Sequence, residues 1–419
     1  MNSGMTLQTE LAARDALAGR RKGARALLPF AGPAFMASVA YMDPGNFATN
    51  IEAGSTHGYQ LLWVVLLANL VAMLFQAMSA RLGIVTGRNL AEICRDEFSR
   101  PVAIGMWITS EIAAVATDVA EFIGGALGIS LLWGLGITGV VTLAILHLDR
   151  GGFRPLELAI AAMVGCIGLA YLFELVFAAP DWRAALLHTV VPHLPDGSGV
   201  TLAAGIVGAT IMPHALYLHS GLTQRRTPAL DDGERRRLLR FSNQEVVIAL
   251  GLAGLVNLAM VAVSASVFGK AAPGVTDLGV AYRTLIPALG AGAAAVFLLS
   301  LVVSGISSSV VGTIAGQVIM QGFVGFNIPL WIRRVVTMVP AFVVALTCDT
   351  TSAMVFSQVV LSLVLPLPLV SLVLLSSRKS VMGDFATGRT TLLLAAAATV
   401  LIVLLNAMVV KQLFNVVHR

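Results

Sequence analysis

The sequence predicts an all-α polytopic membrane protein, with two inverted halves of five spans each and an eleventh span after them. Three observations predict this class. Of the 419 residues, 57% are hydrophobic and only 12% are charged, far from the balance of a soluble domain. Eleven apolar stretches approach or exceed the roughly 20 residues that cross a bilayer. They lie near 27–55, 61–85, 102–128, 131–148, 155–178, 200–222, 244–268, 289–323, 330–348, 352–376 and 390–413. With the N-terminus inside, 22 of the 27 Lys and Arg fall in inside segments and 5 outside, the bias that sets orientation. The long stretch 289–323 carries Ser304, Ser307, Ser308 and Ser309 near its middle. Splitting it there would leave 19 basic residues inside against 8, so the eleven-span reading, N-terminus inside and C-terminus outside, is preferred.

Residues 1–26 lack the apolar core of a signal peptide and are expected to be a cytoplasmic tail. Residues 27–178 form the first repeat, spans one to five. An extracellular loop at 179–199 leads to the second repeat, 200–376, spans six to ten. Residues 377–419 hold a linker and the eleventh span, in which Asn406 is the one strongly polar residue at depth. An odd number of spans per half makes the second half enter from the opposite side, which inverts it. Too little chain remains for a separate soluble domain. The net charge of +5 follows from the inside bias and is no nucleic-acid signal. The basic run 235–240, after Asp231, Asp232 and Glu234, reads as a solvated loop touching lipid headgroups. Cys94, Cys166 and Cys348 make no disulfide framework.

Two spans carry a proline at their middle, in the runs Ala40-Tyr41-Met42-Asp43-Pro44-Gly45-Asn46 and Ala209-Thr210-Ile211-Met212-Pro213-His214. Proline lacks an N–H, so the carbonyl four residues earlier loses its helical partner. Those carbonyls belong to Ala40 and Ala209. Non-helical backbone at membrane depth is tolerated only where it lines a site or is buried in protein. Interrupted spans at matching places in two halves point to a transporter's binding site. Asp43 would cost roughly 2.5–3.5 kcal/mol at mid-membrane, so it is expected to face a cavity or partner. The amide oxygen of Asn46 can face the same point, which makes four oxygen donors with the two carbonyls. Met212 adds a soft thioether. Mg²⁺ and Ca²⁺ favour oxygen throughout, so one sulfur tilts the set toward Mn²⁺, Fe²⁺, Co²⁺ or Cd²⁺ without choosing among them.

The third span places Glu111, Asp118 and Glu121 within an arc of roughly 80° on one helix face. Aligned carboxylates in a membrane suggest a proton or ion route. The alternative is a structural network with Arg333 and Arg334. His214 follows Pro213 and can bind metal, carry a proton or hydrogen-bond structurally. His219 is five residues on, about 140° around the helix, and no glutamate follows His214, which argues against a zinc-protease arrangement.

Asp43-Pro44-Gly45-Asn46, the triplet Met212-Pro213-His214 and the acidic third span together resemble the Nramp family of divalent-metal transporters, from about residue 27 to 413. The resemblance implies a LeuT-type fold of ten helices in inverted repeats, with the eleventh added. It implies proton-coupled uptake of Mn²⁺ and Fe²⁺, with no resident cofactor. It puts Asp43, Asn46, Met212 and the carbonyls of Ala40 and Ala209 on the metal, with Gln358 joining as the site closes. Asp118, Glu121 and His214 match its proton-handling positions beside Asp43; Glu111 and Arg334 match a polar network leading to the cytoplasm.

The function expected is therefore import of divalent transition metals by alternating access, in a bacterial plasma membrane. The expected partners are metal ions, protons and the bilayer, with no nucleic acid and no obligate protein partner. A sodium-coupled organic-solute symporter of the same fold would want no thioether at the site. An intramembrane enzyme would need a nucleophile–base pair or an open metal site, and the sequence offers neither.

Overall fold

The computed structural model describes residues 7–132, 153–195, 197–224, 226–271, 275, 277–325 and 329–417. The described residues are helical, without strands. In chain order the helices are α1 (Leu7–Leu17), α2 (Ala24–Leu27), α3 (Pro33–Val39), α4 (Pro44–His57), α5 (Leu62–Thr86), α6 (Leu90–Glu97) and α7 (Arg100–Leu132). Then come α8 (Phe153–Ala178), α9 (Trp182–Val190), α10 (Ser198–Thr210), α11 (Pro213–Thr223), α12 (Asp232–Ala271) and α13 (Leu278–Leu289). The chain finishes with α14 (Ala291–Val324), α15 (Leu330–Thr347), α16 (Thr350–Val364), α17 (Pro366–Ser377), α18 (Lys379–Met382) and α19 (Arg389–Val417).

Eight of the described helical stretches are long and apolar enough to cross a membrane. The first expected span is a real segment, but its break divides it into α3 and α4. The fourth, 131–148, lies almost wholly outside the described residues. The ninth is α15, of 18 residues. The stretch 289–323 is not split at its serines: from Ala291 on it is one helix, α14, in which Ser307 Oγ donates to the Val303 carbonyl at 2.8 Å and Ser308 Oγ to that of Gly305 at 3.3 Å. A hydroxyl bonded to its own helix leaves no polar group to break the span. Sequence reading missed the short helices α1, α6, α9 and α13, which lie between or before spans.

Helix ends follow local chemistry. Proline opens α3, α4, α11 and α17, the first-turn position where its missing N–H costs nothing. Asn89 and Glu92 form a reciprocal capping box on α6, which satisfies two otherwise unbonded donors. Gly87, at φ +66°, closes α5 in the left-handed region that favours glycine.

One helix runs along the whole first span. Glu245 of α12 accepts from the backbone N–H of Gly32 at 2.6 Å and of Ala34 at 2.9 Å, capping the start of α3. Twelve residues on, Asn257 Nδ2 donates to the Tyr41 carbonyl at 2.8 Å. Ser264 Oγ donates to the Ile51 carbonyl at 2.6 Å. Close approach is allowed at Gly54, where a Cβ would sit 2.6 Å from the Val261 carbonyl. Beside the first of these contacts, Arg226 clamps the buried Glu157 of α8 through both guanidinium nitrogens, Nη2 to Oε2 at 2.8 Å. The tail folds back here too. Ala13, Ala16 and Leu17 of α1 pack with Phe30 and Leu238, and Arg14 Nη1 donates to the Pro228 carbonyl at 2.7 Å.

Candidate metal site

Both expected breaks are present. The first span leaves α-helix at Val39, makes a tight 3₁₀ turn over Ala40–Met42, extends at Asp43 (φ −74°, ψ 168°) and restarts at Pro44. The second leaves helix at Thr210, passes through Ile211 (φ −104°, ψ 74°), extends at Met212 (φ −73°, ψ 126°) and restarts at Pro213. Three extra groups satisfy the backbone freed at the first break. The Ala40 carbonyl faces Asn46 Nδ2 at 3.4 Å, that of Tyr41 accepts from Asn257, and that of Met42 accepts from Ser304 Oγ at 2.6 Å. Buried carbonyls need such partners.

Asn46 joins the two breaks. Its Nδ2 donates to Asp43 Oδ1 at 2.7 Å and to the Ala209 carbonyl at 3.0 Å, as well as facing Ala40. One amide nitrogen thus gathers the carboxylate and both proline-freed carbonyls, the set a cation would gather. The sequence reading expected the amide oxygen at this point. The nitrogen stands there instead, because three acceptors around one position select a donor. A half-turn of the amide exchanges the two ends.

Gln358 arrives from α16. A Cβ on Gly45 would collide with the Gln358 amide and lie 3.0 Å from Asp43 Oδ2, so these side chains converge over Gly45, where only a glycine leaves room. Gly208 plays the same part for backbone, since a Cβ there would strike the Gln358 carbonyl. Gly124 lets α7 close on Pro44. Asp43, Asn46, Met212 and Gln358 are 0–1% exposed. Three of their oxygens, Asp43 Oδ2, Asn46 Oδ1 and Gln358 Oε1, are buried with no hydrogen-bond partner. Each such acceptor costs about 1–3 kcal/mol when buried unsatisfied. A ligand that supplies positive charge would relieve that cost. Among the described residues no three His, Cys, Asp or Glu converge on one point; the groups brought together here are one carboxylate, two side-chain amides and backbone carbonyls, with Met212 buried at the second break.

The acidic span adjoins the second break. His214 Nδ1 lies 3.2 Å from Thr117 Oγ1, which ties the residue after Pro213 to the one before Asp118. Glu121 is buried against Gly312, where a Cβ would sit 2.9 Å from its Oε1. Glu111, farther along α7, accepts from Trp107 Nε1 at 3.0 Å. The backbone of Arg333 and Arg334 belongs to α15; their side chains lie outside the described residues.

Sequence reading missed a second polar chain. Gln76 Nε2 donates to the Tyr41 hydroxyl at 2.6 Å, and Gln76 Oε1 meets His219 Nδ1 at 2.8 Å. It links the first break to α11 inside an apolar core. Gln76, with Asn69 two turns before it in the largely apolar span 61–85, was the available signal, since polar groups at that depth need partners.

An all-helical bundle around two facing helix breaks defines a multi-span membrane transporter. The comparisons narrow the class. The family description "Natural resistance-associated macrophage protein-like" (Nramp) matches residues 34–412, and the chain belongs to the Nramp family. It is 62% identical over 413 residues to the "Divalent metal cation transporter MntH" of Burkholderia ambifaria, covering 97% of this chain and 94% of that one. It is 45% identical to the protein of that name from Bacillus subtilis, covering 99% and 100%. A crystal structure of the Eremococcus coleocola manganese transporter superposes with TM-score 0.84 at 32% identity, covering 94% of this chain and 89% of that one. Mhp1, a nucleobase-cation-symport-1 family transporter, matches at TM-score 0.59 and 12% identity over 91% of this chain and 93% of that one, a likeness of fold alone and of the LeuT type.

Proposed function

We propose that this chain carries Mn²⁺ and Fe²⁺, with Co²⁺ and Cd²⁺ also accepted, into a bacterial cell across the plasma membrane together with protons, by alternating access. The N-terminus lies inside and the C-terminus outside, as the charge bias requires. The observation that carries this reading is the trio of unsatisfied buried oxygens on Asp43, Asn46 and Gln358, with the Asn46 amide nitrogen against the freed carbonyls of Ala40 and Ala209. The names of its relatives support the substrate class: divalent metal cations for the Burkholderia and Bacillus proteins, manganese for that of Eremococcus.

Asp43 supplies the one negative charge and two oxygens. Asn46 turns its amide so that Oδ1 faces the ion, which releases the carbonyls of Ala40 and Ala209 to the ion as well. Gln358 adds Oε1 as α16 closes over Gly45. Met212 contributes its thioether, which favours softer first-row ions over Mg²⁺ and Ca²⁺. The carbonyl-bearing ends of α10 and of the turn before Asp43 carry the negative end of the helix dipole, which suits a cation. Protons pass from the Asp43 region by way of His214 and Thr117 to Asp118 and Glu121, then along the face that carries Glu111 toward Arg334 and the cytoplasm.

The test is Mn²⁺ uptake into sealed proteoliposomes with an internal pH dye and Ca²⁺ as competitor. Saturable uptake with matched acidification, unaffected by excess Ca²⁺, is expected. Asp118→Asn is expected to separate the two signals. Mn²⁺ entry with no pH change in the unmodified protein would refute the coupling, and competition by amino acids instead of Cd²⁺ would refute the substrate.

A further inference from the structure

The N-terminal tail, the start of α12 and the turn before α19 enclose a recess of about 1180 Å³ that the transport reading does not use. Five basic side chains line it, Arg21, Lys22, Arg81, Arg236 and Arg240, against one acid, Asp384. Among the described residues no carboxylate pairs with Lys22, Arg81, Arg236 or Arg240, and Arg21 meets only Asp15, at 4.0 Å. The cations are held in place all the same. The Phe385 ring lies 5.2 Å below the Arg235 guanidinium and 5.9 Å below that of Arg236, and the Phe385 carbonyl accepts from Arg81 Nε at 3.0 Å. Orienting five like charges toward one space that holds a single acid is unfavourable unless an anion enters it.

The rest of the wall says which anion. Leu27, Leu239, Val247 and Ile248 also line the recess, and Val247 and Ile248 are 60% and 50% exposed. They sit about two helical turns after Arg240, where α12 changes from charged to apolar sequence. Cations at one end and bare aliphatic groups at the other fit a molecule with an anionic head and an apolar tail. A free phosphate would use only the first. We propose that this recess binds an anionic phospholipid, its phosphate among Arg236, Arg240 and Arg81 and its acyl chains along Val247 and Ile248. The lipid would fasten the tail to α12 on the face that carries the N-terminus.

The test uses the full chain in nanodiscs of phosphatidylcholine with and without phosphatidylglycerol, read by native mass spectrometry of retained lipid and by thermal melting. The wild type is expected to retain phosphatidylglycerol selectively and to melt higher in its presence. Arg236→Gln with Arg240→Gln removes two basic contacts, each a modest surface term, so selective retention is expected to weaken by roughly thirtyfold. Arg100→Gln, which removes a charge elsewhere on this face, is expected to change nothing. Should the double variant not fold, Arg240→Gln alone serves, with a fall of roughly fivefold expected. Unchanged retention in the variants, an equal loss in Arg100→Gln, or displacement of the lipid by millimolar inorganic phosphate would each overturn the proposal, the last by showing a small-anion site.

Discussion

The two helix breaks are related by the repeat, yet they are built differently. At the first, a carboxylate ends the gap: Asp43 caps α4 by accepting from the Asn46 N–H at 2.8 Å, and side chains from two other helices hold the freed carbonyls of Tyr41 and Met42. At the second, Met212 occupies the capping position and caps nothing; of its freed backbone, the Ala209 carbonyl is held by Asn46, from the first break. One break brings charge and a rigid frame. The other brings a carbonyl end and a polarisable sulfur, and leans on its partner for order. On the proposed reading the duplicated halves divide one task, with attraction for any cation on one side and discrimination between cations on the other.

Four substitutions test that division, beginning with the most damaging. Asp43→Ala should lower Mn²⁺ uptake by more than about a hundredfold, beyond the loss expected for a group that only supports a ligand, while the protein still inserts; saturable uptake by this variant would break the assignment of charge to the first break. Ser304→Ala and Asn257→Ala should each cost about 1–3 kcal/mol by leaving a buried carbonyl unpaired, seen as a lower melting temperature in detergent. Stability unchanged in both would mean that the first break is not framed as described. Met212→Ala should leave Mn²⁺ uptake largely in place and let Ca²⁺ compete about tenfold better, the worth of one weak contact; continued exclusion of Ca²⁺ would move discrimination elsewhere. Asp96→Asn is the reference for charge outside the membrane. Hydrogen bonds from Arg95 and Arg88 hold the Asp96 carboxyl below the usual carboxylate range. Its contribution is therefore present above about pH 4 and fades as the pH falls through the depressed value. Removing it at neutral pH should cost no more than about 1 kcal/mol, since the pair is well exposed, as measured by melting at pH 7 and pH 3.

Much of this was legible from residue type and position. Pro44 and Pro213 announce both breaks, because a missing N–H at mid-membrane has few structural outcomes. Asp43 announces a site, because an isolated charge there is costly. Gln358 came only from resemblance to the family; nothing in its surroundings separates it from any buried amide. The contacts that frame the first break were not legible. Ser304 and Met42 are 262 positions apart and Asn257 and Tyr41 are 216 apart, and neither periodicity nor composition pairs residues at such distances. The Glu157–Arg226 clamp and the docking of α1 failed to show for the same reason. That the Asn46 amide nitrogen meets the carbonyls in this structure was not legible, because a sequence gives the donors and acceptors of a side chain without saying which end its neighbours select.

The contacts from Glu245, Asn257 and Ser264 have a mechanical consequence. They are spaced 12 and 7 residues apart on one continuous helix, about 18 and 10 Å, and they grip the first span before, within and after its gap. A fractured rod splinted to an intact one does not flex at the fracture alone. Either the splint travels with both fragments, or one of three short polar fastenings has to let go first.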